Sequence, residues 1–348
     1  TGDPATSAAL LSRAEPLLSA EDEFLRGQFH CVRAGNDPSG AWTAESDAQA
    51  GMELAEGAGI RRLYAACLHV LASDQLRRGR TNEALNTFWE EQEVQRAIGD
   101  RSGRAATLQW AGYLLFTSGD FAASRAYLLE AVEEGEASGN LSPVAWAYLS
   151  LSGIAVGLGD LAGGIEYLDR AQELLEAQGD RWGLATLEGR RAAVAFAAGD
   201  WDTARAVWEK TLAEHRQAGN VVGALSSQTG LLELALAADD LEAAEAILGE
   251  ARQLARDAAM GPWETSFLFH EAEVALKRKD PGRTMRALDG FLLPGQHSIR
   301  TYRAQVRYAE ALAMEGRLPE AADRLEEALE ALESWREGLD AVGLQRYA

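Results

Sequence analysis

The side chains with the most chemistry to offer are His30, His69, His215, His270 and His297, together with Cys31 and Cys67. A helical metal site needs two imidazoles one turn apart with a carboxylate between or beside them, as in HExxH. No such pair occurs, because the histidines are scattered along the chain. His30 and Cys31 are sequence neighbours, but adjacent residues on a helix point in different directions, which is wrong for a nucleophile and its base. No GxGxxG or GxxxxGK[ST] run is present to cradle a phosphate. Acidic residues are abundant everywhere, so no two stand out as an acid/base pair. The sequence nominates no catalytic residue, no metal ligand and no cofactor. A non-enzymatic role is expected.

Charge narrows the partners. The 348 residues carry 33 Lys+Arg against 54 Asp+Glu, a formal net charge of −21. A chain this acidic is repelled by nucleic-acid phosphates and by anionic membrane surfaces, and it has no Lys/Arg block to override that. With 47% hydrophobic and 25% charged residues it should fold. Two cysteines give neither a disulfide framework nor a zinc set, which makes a cytoplasmic setting the expectation. The first residue is Thr1 rather than Met, so the chain reads as excised or processed, and the lack of a signal peptide carries no weight.

The elements that would position a site follow from a repeat. Glycine stands at 59, 79, 99, 119, 139, 159, 179, 199 and 219, every 20 residues. Asp or Asn follows most of them, at Asp100, Asp120, Asn140, Asp160, Asp180, Asp200 and Asn220. The phase continues through Asp239-Asp240 and Lys279-Asp280 and resets by three residues at Gly316. The intervening stretches are rich in Ala, Leu, Glu and Arg, which favour helix. Glycine would stop each helix in a left-handed conformation and Asp or Asn would cap the next. The pattern predicts an all-α solenoid of about seven or eight helix–turn–helix units.

Within each unit the residue five after the central turn is small: Ala84, Ser124, Gly164, Ala204, Ala244, Thr284 and Ala321. Seven before it stand Ala72, Gly112, Ser152, Ala192, Leu232, Ala272 and Ala309, and nine after come Phe88, Leu128, Leu168, Trp208, Leu248, Leu288 and Leu325. This small–small–large pattern resembles the tetratricopeptide repeat in its 40-residue form, as in large bacterial regulatory and signalling proteins. The resemblance covers about residues 40–334. It implies a right-handed superhelix that binds a protein or peptide without catalysis. It also leaves open a sensory arm of a multidomain bacterial regulator, and a passive spacer or self-association module.

The domains expected are a helix pair or cap over 1–40, the tandem repeats over 41–334 and a capping or linker segment over 335–348. The run after Leu332 faintly resembles the linker that precedes a caspase-like (CHAT) peptidase domain. Residues 281–295 contain Pro281, Gly282 and Gly290, so the helix there should be short.

In tetratricopeptide arrays the first helix of each pair lines the groove. Its contact columns here give an apolar floor of Tyr113, Phe116, Trp146, Leu149 and Phe196, followed by Glu233, Glu273 and Glu310 on later repeats. Such a groove would suit a partner alternating apolar and Lys/Arg residues. The same columns also read as inter-helix core with a solvated acidic face. Chaperone-type arrays place Lys and Asn where this chain has His69, Ser73, Gln109 and Tyr113, so their carboxylate clamp is not expected. From Ala137 to Gly159 no residue is charged. The turn, Pro143 and the serines make this a buried middle helix rather than a membrane span. A helix without a charged face nevertheless suggests apolar surface awaiting cover.

Overall fold

A left-handed residue ends a helix by folding its last carbonyls back onto N–H groups just beyond it. In a computed structural model of the chain, Gly59, Gly99, Gly119, Gly139, Gly159, Gly179, Gly199 and Gly219 all have φ between 64° and 85°. Where glycine lapses, Asp239 and Lys279 take the same conformation at 59° and 60°. The backbone phase therefore outlasts the residue that favours it. The structure describes residues 10, 12–18, 22–35, 44–78, 80–258, 260–292 and 299–341, which leaves Gly79 outside.

The partner signal acts as expected. Asp160, Asp180, Asp200, Asn220 and Asp240 each accept a hydrogen bond from the backbone N–H three residues on. Each such cap contributes about 1 kcal/mol to its helix.

The described residues form one short 3-10 turn, Glu15–Leu17, and sixteen α-helices in tandem. These are α1 Glu23–Gly35, α2 Ala44–Gly57, α3 Arg61–Arg77, α4 Thr81–Ala97, α5 Arg101–Ser118, α6 Phe121–Ser138, α7 Leu141–Gly157 and α8 Leu161–Gln178. They continue as α9 Arg181–Ala197, α10 Trp201–Gln217, α11 Val221–Ala237, α12 Leu241–Asp257, α13 Gly261–Lys277, α14 Pro281–Phe291, α15 Ile299–Met314 and α16 Leu318–Ala341. No strand occurs among the described residues. Contacts divide the chain into two compact units, residues 1–111 with 133–140, and 112–132 with 141–348.

Small residues let paired helices cross closely. Ser124 Oγ donates to the Gly112 carbonyl at 2.7 Å, joining the position five after a turn to that seven before it. A Cβ on Gly164 would lie 2.8 Å from Val156 Cγ2 and 3.5 Å from the Ser152 carbonyl, so that crossing requires glycine. The bulky position nine after the turn is buried from Phe88 to Leu288. Leu325, on the last helix, is 45% exposed. Leu232, where the pattern asks for a small residue, is fully buried in a cluster with Leu225, Leu248 and Phe267.

In the first unit, α1 and α3 both pack on α2. That brings Cys31 and Cys67 together as a disulfide with Cα atoms 5.2 Å apart, which corrects the expectation that the two cysteines are unlinked. Gly51 on α2 makes room, since a Cβ there would meet Cys31 Sγ at 2.5 Å. Disulfides persist in oxidising compartments and are rare in the cytosol, so this bond gives the cytoplasmic expectation no support. His30 lies 3.0 Å from Asp47 Oδ1 and is a structural partner, not a base for Cys31.

At the N-terminus, the second helix of the expected pair is α1, while residues 1–9 lie outside the described set. The short helix over 281–295 is α14, which has 11 residues. At the other end α16 runs on to Ala341, and 342–348 lie outside the described residues. Among the described residues no helix is long and apolar enough to cross a membrane.

The uncharged helix α7 is buried nearly all round, including Val144, Ala145, Leu149, Leu151 and Ile154. Of its large apolar side chains only Leu141, at its first position, is exposed, so the broad apolar surface inferred from its composition is not presented. A helix in the middle of a stack has neighbours on several sides and needs no wet face.

Candidate functional site

The second unit contains a cavity of about 690 Å³, and every residue lining it belongs to the first helix of a pair. Phe196 comes from α9, Glu233, Leu236 and Ala237 from α11, and Ser266, Phe269, His270, Glu273, Leu276 and Lys277 from α13. Helix α15 adds Arg300, Arg303, Arg307 and Glu310. The 20-residue phase explains the placement, because it returns the same helical face to the same side in alternate helices.

Four of the expected groove residues, Phe196, Glu233, Glu273 and Glu310, line this cavity. Tyr113 and Phe116 do not line it; Phe116 instead carries Arg190, whose guanidinium carbon lies 5.1 Å from the ring centre. Trp146 is half-buried on α7 and is not a cavity residue. Leu149 is 2% exposed, so its place in an accessible floor is corrected: its side chain belongs to the core.

The glutamates do not form a bare acidic row. Glu273 Oε1 lies 3.4 Å from Arg303 Nη2 and 3.7 Å from Arg307 Nε, and Arg307 Nη1 is 3.1 Å from Glu310. Glu233 lies 3.8 Å from His270 Nε2. Arg190, His270 and Arg307 stand nine residues before their turns, a column that sequence reasoning did not read, while Arg303 stands thirteen before, on the column of Trp146, where its charge was passed over. Following those columns as well as the glutamates would have found them.

Two arginines are left differently. Arg300 Nη1 reaches only Ser266 Oγ, at 3.5 Å, and Arg190 rests on Phe116. Among the described residues neither has a carboxylate within ion-pair distance. Burial pushes both guanidinium groups below their ordinary range, opposed by Tyr113 and Glu233 at longer reach. Burial likewise pushes the Tyr113 phenol up, with Arg190 and Arg300 pulling the other way. For Glu233 burial works upward, but His270, Arg300 and Arg303 outweigh it and hold the carboxyl below its usual range. Glu233 still keeps 51% of its side-chain surface accessible. These groups are thus crowded by protein around a space that solvent enters, not sealed from it. Glu233 and Arg300 line that space, whereas Tyr113 and Arg190 are not among its lining residues.

No protein-family model and no curated relative matches the sequence. Solved structures do match. A Rap protein complexed with competence and sporulation factor superposes with a TM-score of 0.69 at 12% identity, over 96% of this chain and 94% of that one. Aspartyl phosphate phosphatase F from Bacillus subtilis gives 0.54 at 10% identity, over 94% and 89%. A signal-transduction ATPase with numerous domains and a tetratricopeptide repeat sensor, from Pyrococcus horikoshii, gives 0.51 at 14% identity. That match covers 94% of this chain and 50% of that one. The chain has the tetratricopeptide-type helical-repeat fold.

Proposed function

We propose that the chain is a non-catalytic binding module that takes a short peptide, or a peptide segment of a protein, into the cavity of its second unit. One observation carries this reading: a cavity of about 690 Å³ lined wholly by first helices. That volume falls in the range of sites that enclose most of a small ligand, roughly 300–1,000 Å³. Phe196, Leu236, Phe269 and Leu276 supply apolar wall, while Glu233, Glu273 and Glu310 belong to its polar surround. The likeness in fold to a Rap protein complexed with competence and sporulation factor is in keeping with a binding role.

A second reading, a sensory arm controlling an attached effector, draws on the Pyrococcus horikoshii protein with a tetratricopeptide repeat sensor, half of which aligns with this chain. It uses the same cavity and adds an output.

The test is retention of a randomised synthetic hexapeptide pool, read by mass spectrometry after equilibrium with the protein. A defined subset should be retained. Ala237→Trp, at an exposed position on the cavity wall, should lower that retention by about tenfold or more while leaving helicity and melting unchanged. Retention of no member would overturn the proposal.

A further inference from the structure

We propose that the exposed face of α16 is a docking surface that takes a partner helix, one whose apolar stripe is bordered by Lys or Arg. Leu318, Leu325 and Leu329 are 64%, 45% and 56% exposed, and half-buried Leu332 continues their line. Together with exposed Ala322 they recur at alternating steps of four and three residues, which on a helix makes one apolar seam. Leu325 stands nine residues after its turn, where Phe88, Leu128, Leu168, Trp208, Leu248 and Leu288 are all buried. Two of those show what covers the position. Leu248 clusters with Phe267 and Val274 of α13, and Leu288 with Ala304 of α15, so in each case the cover is the first helix of the next pair. The shape left open on α16 is that of a helix. The cavity takes no residue from α16, so the two surfaces are independent.

Charge says which helix. Asp323, Glu326, Glu330 and Glu333 run beside the seam at steps of three, four and three, and all four are exposed. Glu320 and Glu327 differ, since Arg317 pairs with the first at 2.6 Å and Arg324 with the second at 2.8 Å. Among the described residues no cation lies within ion-pair distance of the four in the row. An apolar seam with a charged border is the arrangement by which paired helices choose partners, and the border sets the sign. Lys or Arg on the incoming helix neutralises the row while its apolar side chains cover the leucines, whereas Glu there is repelled. A second copy of this chain is the poorer occupant. It brings its own net charge of −21 and, laid antiparallel, its own acidic row.

The probe is a labelled synthetic helix of about 21 residues, long enough to be helical in water, with Leu in a matching seam and Lys along both borders. Two companions replace every Lys by Glu, or scramble the sequence at constant composition. At an ionic strength of about 0.15 M, fluorescence anisotropy should give the Lys form an affinity about tenfold or more above either companion. Leu329→Lys should weaken that binding about tenfold. The triple variant Glu326→Lys, Glu330→Lys, Glu333→Lys should reverse the preference toward the Glu form, each protein being checked for unchanged melting. Ala237→Trp in the cavity should change none of this, so a failure of hexapeptide retention leaves the α16 proposal standing. The wild-type comparisons hold even if a variant fails to fold. Equal binding of the scrambled helix means attraction by net charge alone and overturns the proposal. Equal binding of the Lys and Glu forms, or binding of neither, overturns it as well. Sedimentation of the unlabelled wild type tests the other occupant: self-association that Leu329→Lys abolishes assigns the face to a second copy and also overturns the proposal.

Discussion

His215 is 4% exposed, and its Nδ1 accepts from the Asn220 amide at 3.0 Å while Asn220 Oδ1 caps α11 through the Gly223 N–H at 2.8 Å. A donor on Nδ1 places the ring proton on Nε2 and leaves no room for a second. Burial lowers the His215 pKa, with Glu214 opposing it. His69 is the reverse: burial works against its charge, but the hydrogen bond its ring donates to Glu91 at 3.3 Å and that carboxylate's field raise it overall. The signs follow from linkage. His215 contributes stability in full above the ordinary histidine value of 6.5, and that share is lost as pH falls through 6.5 toward its lowered folded value. His69 contributes fully below 6.5 and loses its share as pH rises through its raised folded value. Melting measured at about pH 5.5 and 7.5 should therefore show a smaller acid loss in His215→Gln than in wild type, and a larger one in His69→Gln. Equal slopes in all three proteins would mean that neither ring's environment differs from that of the unfolded chain.

At the scale of helices, punctuation was legible because it is local. A left-handed stop needs a particular residue at one position, and a cap needs Asp or Asn at the next, so Gly179-Asp180 announces its turn without reference to anything distant. The short α14 follows from Pro281 and Gly290 in the same way. The cavity was only half legible. Phe196 and Glu233 lie on columns that repeat geometry points inward, but Glu273 finds its partners, Arg303 and Arg307, one helix pair away, and Glu310 finds Arg307 on its own helix. The mistake about α7 has the same origin: composition gives its polarity, whereas exposure depends on how many helices surround it. Contacts of this kind also decide where substitutions hurt. Trp208 on α10 lies flat on Gly230 of α11, in the space where a Cβ would stand, and donates its indole N–H to the Gly189 carbonyl of α9 at 3.1 Å. Gly230→Ala improves helix propensity by about 1 kcal/mol but forces the indole to move, and overpacking of this sort costs about 1–3 kcal/mol. Denaturant unfolding should show net destabilisation. A stabilised variant would show that α10 and α11 can separate at no cost.

Over the whole chain the net charge of −21 sets a long-range field around a cavity whose own lining carries both signs. A peptide with an acetylated amino group, a free C-terminal carboxylate and neutral side chains carries one negative charge and approaches against that field, while the charges lining the cavity act at short range. The two effects separate by distance. At an ionic strength of about 0.1 M the screening length is about 10 Å, so added salt weakens the approach field more than a contact crowded by protein. Raising salt from about 20 to 300 mM should speed association of the free acid, with a smaller change in dissociation. The matching amide, with its amino group acetylated, should associate at a rate nearly independent of salt. Stopped-flow mixing with a fluorescent hexapeptide in both forms measures this directly. Association of the free acid that slows with salt would mean that the cavity's own cations already dominate the field at a distance. The net charge of the chain would then have no part in selecting its ligand.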